Sequence, residues 1–310
     1  MSFAFVFPGQ GSQSVGMLDA WQNQPEVASL LVRANEALGS DLATLIAQGP
    51  IESLNLTTHT QPAMLVAGLA AFTAWVAAGG PQPAMMAGHS LGEYAALTAA
   101  GSLAFEDAVR LVRIRADAMQ AAVPVGTGAM AAILGLDDET VMLACEAASE
   151  GEVVEAVNFN APAQVVIAGH ASAVERAMAA AKVAGAKRAI RLPVSAPFHS
   201  SLIKPAADVL AQALAKVQIA SPNVPVIHNV NVQTHSMADD IRAALVSQAW
   251  HPVQWVRTIQ AMRVAGVTHI IECGPGKVLA GLVKRIDPEL TGLSVSDPES
   301  LQQALATIAG

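Results

Sequence analysis

Glycine stands two residues to either side of one serine in Gly88-His89-Ser90-Leu91-Gly92, and no other stretch limits the backbone so strongly. Met85-Met86-Ala87 precedes it and Tyr94-Ala95-Ala96-Leu97 follows. The pattern predicts a buried strand at 84–87, a sharp turn, and a helix from Leu91 to about Ala100, stopped by Gly101. The glycines let strand and helix approach closely. The bend pushes the Ser90 hydroxyl out of the fold and leaves the next N–H free at a helix start, where an oxyanion could bind. A Gly-rich turn without chemistry has the same spacing, so the rest of the chain must decide.

The chain is 53% hydrophobic and 14% charged, which demands either a large core or a membrane. The longest charge-free run is Ser53 to Gly92. Its apolar part, Ala63 to Ala78, is shorter than the ~20 residues that span a bilayer. It follows Pro62 and stops at Gly79-Gly80-Pro81, so a buried helix beginning after Pro62 is expected, with no membrane association. Met1 to Val6 carries no basic segment, so no signal peptide is expected. With only two cysteines, Cys145 and Cys273, and no C-x-x-C, a reduced, cytoplasmic protein is the simplest expectation. The net charge of −8 argues against nucleic-acid binding. It also means that any anionic ligand needs a local basic patch.

In chain order, Phe3 to Phe7 reads as a strand buried on both faces. It runs into Pro8-Gly9-Gln10-Gly11-Ser12-Gln13. This loop is no dinucleotide fingerprint, because Ser14 takes the third glycine position, and no phosphate loop, because Met17 stands where lysine belongs. It could present backbone N–H groups and an amide to a ligand. Helical patterns follow at 25–38, 41–48, 60–78 and 105–122. From 126 the order becomes strand 128–134, helix 137–149, strand 153–158, strand 164–169, helix 172–184, strand 187–192. That is β-α-β-β-α-β, the split ferredoxin-like unit. Strands at 224–228 and 268–272 and helices near 238–249 and 255–265 then resume the first pattern. The expected fold is α/β: a large α/β-hydrolase-like domain with a short, mostly parallel sheet, at 1–125 and 196–310, and an inserted small ferredoxin-like domain at 126–195.

A serine nucleophile needs a base, and eight histidines are available. His89 is adjacent to Ser90 in a tight turn and would point elsewhere. His228 ends a strand and stays open. His199, in Pro197-Phe198-His199 where the chain returns to the large domain, is the other choice, with an ordinary helix-start residue as its bland reading. No acid presents itself as a triad orienter. A backbone carbonyl could fix the imidazole tautomer instead. No H-E-x-x-H or Cys/His cluster suggests a metal. Arg115 shares a helical stripe with Ala108, Val112, Met119 and Ala122, which sets a guanidinium on an apolar face. It needs a partner there: an internal salt bridge, or a ligand carboxylate.

Taken together, Phe7-Pro8-Gly9-Gln10-Gly11-Ser12-Gln13, Thr60-Gln61-Pro62-Ala63, Gly88-His89-Ser90-Leu91-Gly92-Glu93, Arg115, Pro197-Phe198-His199, Gln248 with Pro252-Val253-Gln254-Trp255, and Gly274-Pro275-Gly276-Lys277 resemble the malonyl-CoA:acyl carrier protein transacylases, acyltransferases of fatty-acid synthesis, over essentially the full length. The resemblance implies malonyl transfer from malonyl-CoA to the phosphopantetheine thiol of an acyl carrier protein, by a ping-pong route through malonyl-Ser90. It implies Ser90 as nucleophile, His199 as base, and the Gln248 main-chain carbonyl as the group orienting that histidine. The N–H groups of Gln10 and Leu91 would form the oxyanion hole. Arg115 would clamp the malonyl carboxylate, with Gln61 lining the pocket. Asn160, Gln164 and Arg188 match positions near the CoA arm, and Phe198 would narrow the pocket against an α-methyl branch. No cofactor or metal and a monomeric state are expected. Lys187, Arg188, Arg191, Lys284 and Arg285 are candidates for the basic patch. If water were the acceptor, the same residues would make a thioesterase. If the site were a relic, the chain would be a carrier-binding scaffold.

Overall fold

Strand β1 (Phe3–Phe7) alternates three phenylalanines with Ala4 and Val6, and this alternation sorts the large core into two halves. In the computed structural model, which describes residues 1–310, Phe3, Phe5 and Phe7 face one layer of helices. Ala4 and Val6 face the other. Phe5 packs edge-on against Trp75 and Phe72, a favoured geometry for aromatic pairs.

The elements run β1, α1 (Pro25–Leu38), α2 (Leu42–Gln48), α3 (Ile51–Leu54), α4 (Thr57–Ala77), β2 (Met85–Gly88), α5 (Gly92–Ala99), α6 (Phe105–Ala121), β3 (Gly128–Leu134), α7 (Asp138–Ala148), β4 (Val154–Ala161), β5 (Gln164–His170), α8 (Ala171–Val183), β6 (Arg188–Arg191), α9 (Lys204–Leu214), β7 (Val226–Ile227), α10 (Ala238–Gln248), α11 (Trp255–Val264), β8 (His269–Cys273), α12 (Val278–Ile286), β9 (Thr291–Val295) and α13 (Pro298–Ala309). The large sheet has order β7-β2-β1-β8-β9 and is parallel throughout. The second sheet, β4-β5-β3-β6, is antiparallel and is the ferredoxin-like arrangement expected from the element order. One of its faces packs on α7 and α8 through Ile133, Val165 and Ile167. The other turns Met130, Val166 and Ala168 into the main core.

Helix α4 is buried on nearly every side, including Leu65, Val66 and Trp75. It begins at Thr57, ahead of the 60–78 pattern and of the apolar run after Pro62. Pro62 sits in the second turn, where its missing N–H forfeits one helical bond. The Thr60 hydroxyl, within reach of the Leu54 and Leu56 carbonyls, ties the start of the helix to the turn before it. Two elements at the C-terminal end were not legible as pattern. β9 (TGLSV) is a half-buried edge strand that contains glycine and serine, and α13 follows it behind an Asp297 cap.

The two sheets are joined through β4. Val253 donates its N–H to the Val157 carbonyl (2.9 Å) and accepts from the Phe159 N–H (3.0 Å), so the backbone after α10 lies alongside β4 as a single parallel bridge. The β4 ladder is irregular between Ala156 and Asn158, and that bulge is where Val253 attaches. Glu155 adds a second link, accepting from the Ser201 N–H and hydroxyl at 2.8 Å each.

Candidate active site

Strand β2 ends at Gly88, and Ser90 follows with φ of 54°, in the left-handed region that a side chain rarely occupies. The neighbouring glycines explain how the turn can be so tight. A Cβ on Gly88 would lie 1.8 Å from the Gly92 carbonyl carbon, and one on Gly92 would lie 2.0 Å from the Phe7 carbonyl oxygen. Asn229, just beyond β7, braces the bend. Its Oδ1 accepts from the Ser90 N–H (2.7 Å), and its Nδ2 donates to the Gly88 carbonyl (2.6 Å).

His199 also has a positive φ, 64°, and lies buried in the turn before α9. Its Nδ1 is 2.9 Å from the Gln248 carbonyl oxygen. A carbonyl can only accept, so Nδ1 carries the proton and Nε2 presents a lone pair. That nitrogen is 2.7 Å from the Ser90 Oγ. Burial, with the charge of Arg115 next in effect, holds the imidazole down to about 3, so it is neutral and able to accept a proton at neutral pH. His228 is not placed to act on the serine: its Nδ1 is 2.7 Å from Glu93 Oε1. His89 turns away, with Nε2 2.8 Å from Asn160 Oδ1.

Arg115 reaches the site from α6 and is 1% exposed. No carboxylate pairs with it. Nη1 donates to Gln61 Oε1 (2.8 Å), and Nη2 donates to Gln248 Oε1 (2.9 Å) and to Ser90 Oγ (3.1 Å). Burial lowers its pKa from the usual arginine value. Two neutral amides thus hold a buried cation whose charge is not compensated by a direct partner, an arrangement suited to an incoming carboxylate. The internal salt bridge considered from the sequence is absent.

The N–H groups of Gln10 and Leu91 donate to no acceptor within the protein, although Leu91 is buried. Both border a cavity of about 180 Å³ that also contains Gln61, Ser90, Arg115, Asn160, Phe198 and His199. Two free N–H groups beside the half-buried Ser90 hydroxyl meet the requirement for holding an oxyanion. Gln248 lies behind this cavity, fully buried. Gln164 and Arg188 do not line it. They stand in one row across the small sheet, both paired with Leu134, and Arg285 reaches the same edge to donate to Gln164 Oε1.

Several lining residues carry no motif. Met119, Met130, Val166, Leu192 and Val194 make the apolar wall. Only Met119 sits on a stripe readable from the sequence, that of Arg115. Asn229 was equally hidden, since its role depends on meeting a turn 139 residues away in the chain. The cysteines offer no rival nucleophile. Burial pushes the Cys145 thiol up to about 12 and raises that of Cys273 as well, so neither is a thiolate at neutral pH.

The acyl transferase domain family matches residues 4–287. The chain is 57% identical over 304 residues to the malonyl CoA-acyl carrier protein transacylase of Escherichia coli, covering 98% of each. Among solved structures, it is similar to the acyl-carrier-protein S-malonyltransferase of Burkholderia pseudomallei, with a TM-score of 0.97 and 60% identity over 99% of this chain and all of the other. It is likewise similar to the malonyl-transacylase solved in complex with its type II PKS acyl-carrier protein, with a TM-score of 0.98 and 49% identity over 99% of this chain and 100% of that chain.

Proposed function

The chain belongs to the malonyl CoA-acyl carrier protein transacylase family of acyl transferases, and from that premise we propose how its residues move a malonyl group from coenzyme A to an acyl carrier protein. The observation that carries the proposal is the position of the Ser90 hydroxyl, between the His199 Nε2 lone pair and the Arg115 guanidinium.

His199 Nε2 takes the Ser90 proton as Oγ attacks the thioester carbonyl carbon. The carbonyl electron pair moves to oxygen, and the Gln10 and Leu91 N–H groups hold the resulting oxyanion. Collapse reforms the carbonyl and breaks the C–S bond. The CoA sulfur leaves with the proton from His199, and malonyl-Ser90 remains. The carrier's phosphopantetheine thiol then gives its proton to His199 and attacks the ester. A second tetrahedral intermediate collapses, and the Ser90 oxygen leaves with that proton.

Arg115 selects the acyl group. A malonyl carboxylate sits one methylene from the reacting carbonyl, and a guanidinium one hydrogen bond from the nucleophile suits that separation. Burial and, after it, the Arg115 charge hold His199 down; the bound carboxylate compensates that charge, so the base strengthens when the correct substrate is in place. Phe198 narrows the pocket against an α-methyl branch, a discrimination of about 1–3 kcal/mol.

Asn160, Gln164 and Arg188 follow the CoA or phosphopantetheine arm outward. Lys187, Arg188 and Lys284 are exposed, and with Arg191 and Arg285 they supply positive charge for an anionic carrier on a chain of net charge −8. We assign 1–125 and 196–310 to the large domain and 126–195 to the small one. The protein acts as a cytoplasmic monomer and uses no resident cofactor or metal.

The test is intact mass after mixing with malonyl-CoA, followed by addition of phosphopantetheinylated carrier. A malonyl adduct should form on the protein and move to the carrier. Ser90→Ala should form none. Adduct and transfer persisting in Ser90→Ala would sink the proposal, and release of free malonate unaffected by carrier would make the chain a thioesterase.

A further inference from the structure

Glu93 is a fully buried acid beside the Ser90 turn, and no step of the proposed transfer uses it. It stands in the first turn of α5, three residues after the nucleophile, with its carboxylate fully buried. Three donors converge on it. His228 Nδ1 is 2.7 Å from Oε1, while the Asn229 N–H (2.9 Å) and Gln248 Nε2 (3.1 Å) both donate to Oε2.

The Gln248 contact has a consequence for the whole site. Gln248 Nε2 carries two hydrogens. One goes to Glu93 and the other to the Ser90 carbonyl at 2.8 Å. Both acceptors lack hydrogens of their own, so the amide can face them only with its nitrogen. Its oxygen is thereby turned to Arg115 Nη2. An inverted amide would aim an NH₂ at a guanidinium and a lone pair at a carboxylate. The same residue's main-chain oxygen fixes the His199 tautomer.

We propose that Glu93 is a positioning residue that acts through the Gln248 side chain to set the carboxylate clamp at Arg115. It keeps a negative charge near Arg115 without pairing with it. A carboxylate in direct contact would occupy the guanidinium before substrate arrived. Held one amide away, it stabilises the buried cation and leaves the inner edge of Arg115 to the acyl group. Through Asn229, whose side chain bridges Gly88 and Ser90, Glu93 also steadies the left-handed turn that carries the nucleophile. Glu93 touches no reacting atom in this scheme.

This inference rests on the roles given above to Ser90, His199 and Arg115. The test is the rate of acyl-enzyme formation with malonyl-CoA and with acetyl-CoA, in wild type and in Glu93→Gln, alongside the thermal midpoint. Glutamine matches the shape of glutamate but has a single acceptor oxygen for three donors. The malonyl-to-acetyl rate ratio is expected to fall by ~10-fold or more, with Glu93→Asp intermediate between the two. Loss of both rates in equal proportion means that Glu93 is only a structural brace and overturns the inference. Should Glu93→Gln fail to fold, Glu93→Asp carries the test, because its carboxylate is retracted by one methylene. A ratio unchanged from wild type there overturns the inference equally. Wild-type protein that forms no malonyl adduct would instead sink the underlying assignment of the site.

Discussion

Ser90 and His199 face each other across 2.7 Å from two backbones that both have positive φ, 54° and 64°. Neither residue is glycine, and such conformations cost of order 1–3 kcal/mol each. Both are therefore held by their surroundings. Asn229 and the paired glycines hold the serine turn, and the Gln248 carbonyl and burial hold the histidine. The fold spends stability at the two positions where direction matters most.

The tightness of the turn is measurable. Gly92→Ala places a Cβ 2.0 Å from the Phe7 carbonyl, and no flexible side chain is there to yield. Thermal melting should show loss of soluble protein or a fall of roughly 5 °C or more. Gly281→Ala is the control. It lies within α12 with open space around it, so the same change should stabilise by about 0.5–1 kcal/mol. Equal effects at the two sites would show that the close approach does not matter.

Arg115→Ala removes the cation and leaves two amide oxygens without their donor. Malonyl-enzyme formation should fall by ~10²-fold or more, since losing one partner of a buried charge contact costs about 2–5 kcal/mol. Acetyl transfer should fall far less, because the acetyl group has no carboxylate to place. Parallel kinetics with the two thioesters decide the matter, and matching losses would mark the arginine as a structural element.

The buried His199 gives stability a pH slope of known sign. Its folded pKa, held down to about 3, lies below the ordinary value of about 6.5. The unfolded chain therefore takes up the proton first. The contribution is fully present above pH ~6.5 and is lost as pH falls from there toward 3. Denaturant melts across that window should show the decline, and His199→Gln should flatten part of it. Burial also lowers His89, so a residual slope should remain. An unchanged slope in His199→Gln would mean that the imidazole is no more buried than in the unfolded chain. For activity, the acid limb of kcat/KM in the free enzyme should lie well below pH 6.5.

Much of this was legible beforehand, because the informative residues are local. The Ser90 turn announces itself through glycine spacing. The small domain shows as an ordered series of periodic segments closed by turns. Arg115 betrays its burial by falling on an apolar stripe. What stayed hidden depends on distance in the chain. β7 has two residues where the pattern predicts 224–228, since its parallel register with β2 extends only over Val226 and Ile227. Asn229, the Gln248 side chain and Glu93 form a network whose logic exists only once α5, α10 and the end of β7 have met.

Glu155→Ala tests the joint between the sheets. It removes both acceptors of the Ser201 N–H and hydroxyl. Stability should drop by about 1–3 kcal/mol, the cost of orphaned, partly buried donors. The malonyl-to-acetyl ratio should stay near wild type, because the apolar wall and Arg115 are untouched. Differential scanning calorimetry and the two acyl-CoA assays read these separately, and a changed ratio would show that domain placement tunes selectivity.

The Val253 bridge sets a rule for anyone recombining relatives of this enzyme. The backbone that leaves Gln248 to clasp β4 is continuous with the backbone that steers His199. A chimera that exchanged only 126–195 would seat a foreign β4 against a native clasp, and any mismatch in the bulge would be felt at the imidazole. The natural unit of exchange is discontinuous: the small domain together with 248–254. Cut in that way, the graft brings its own bearing surface.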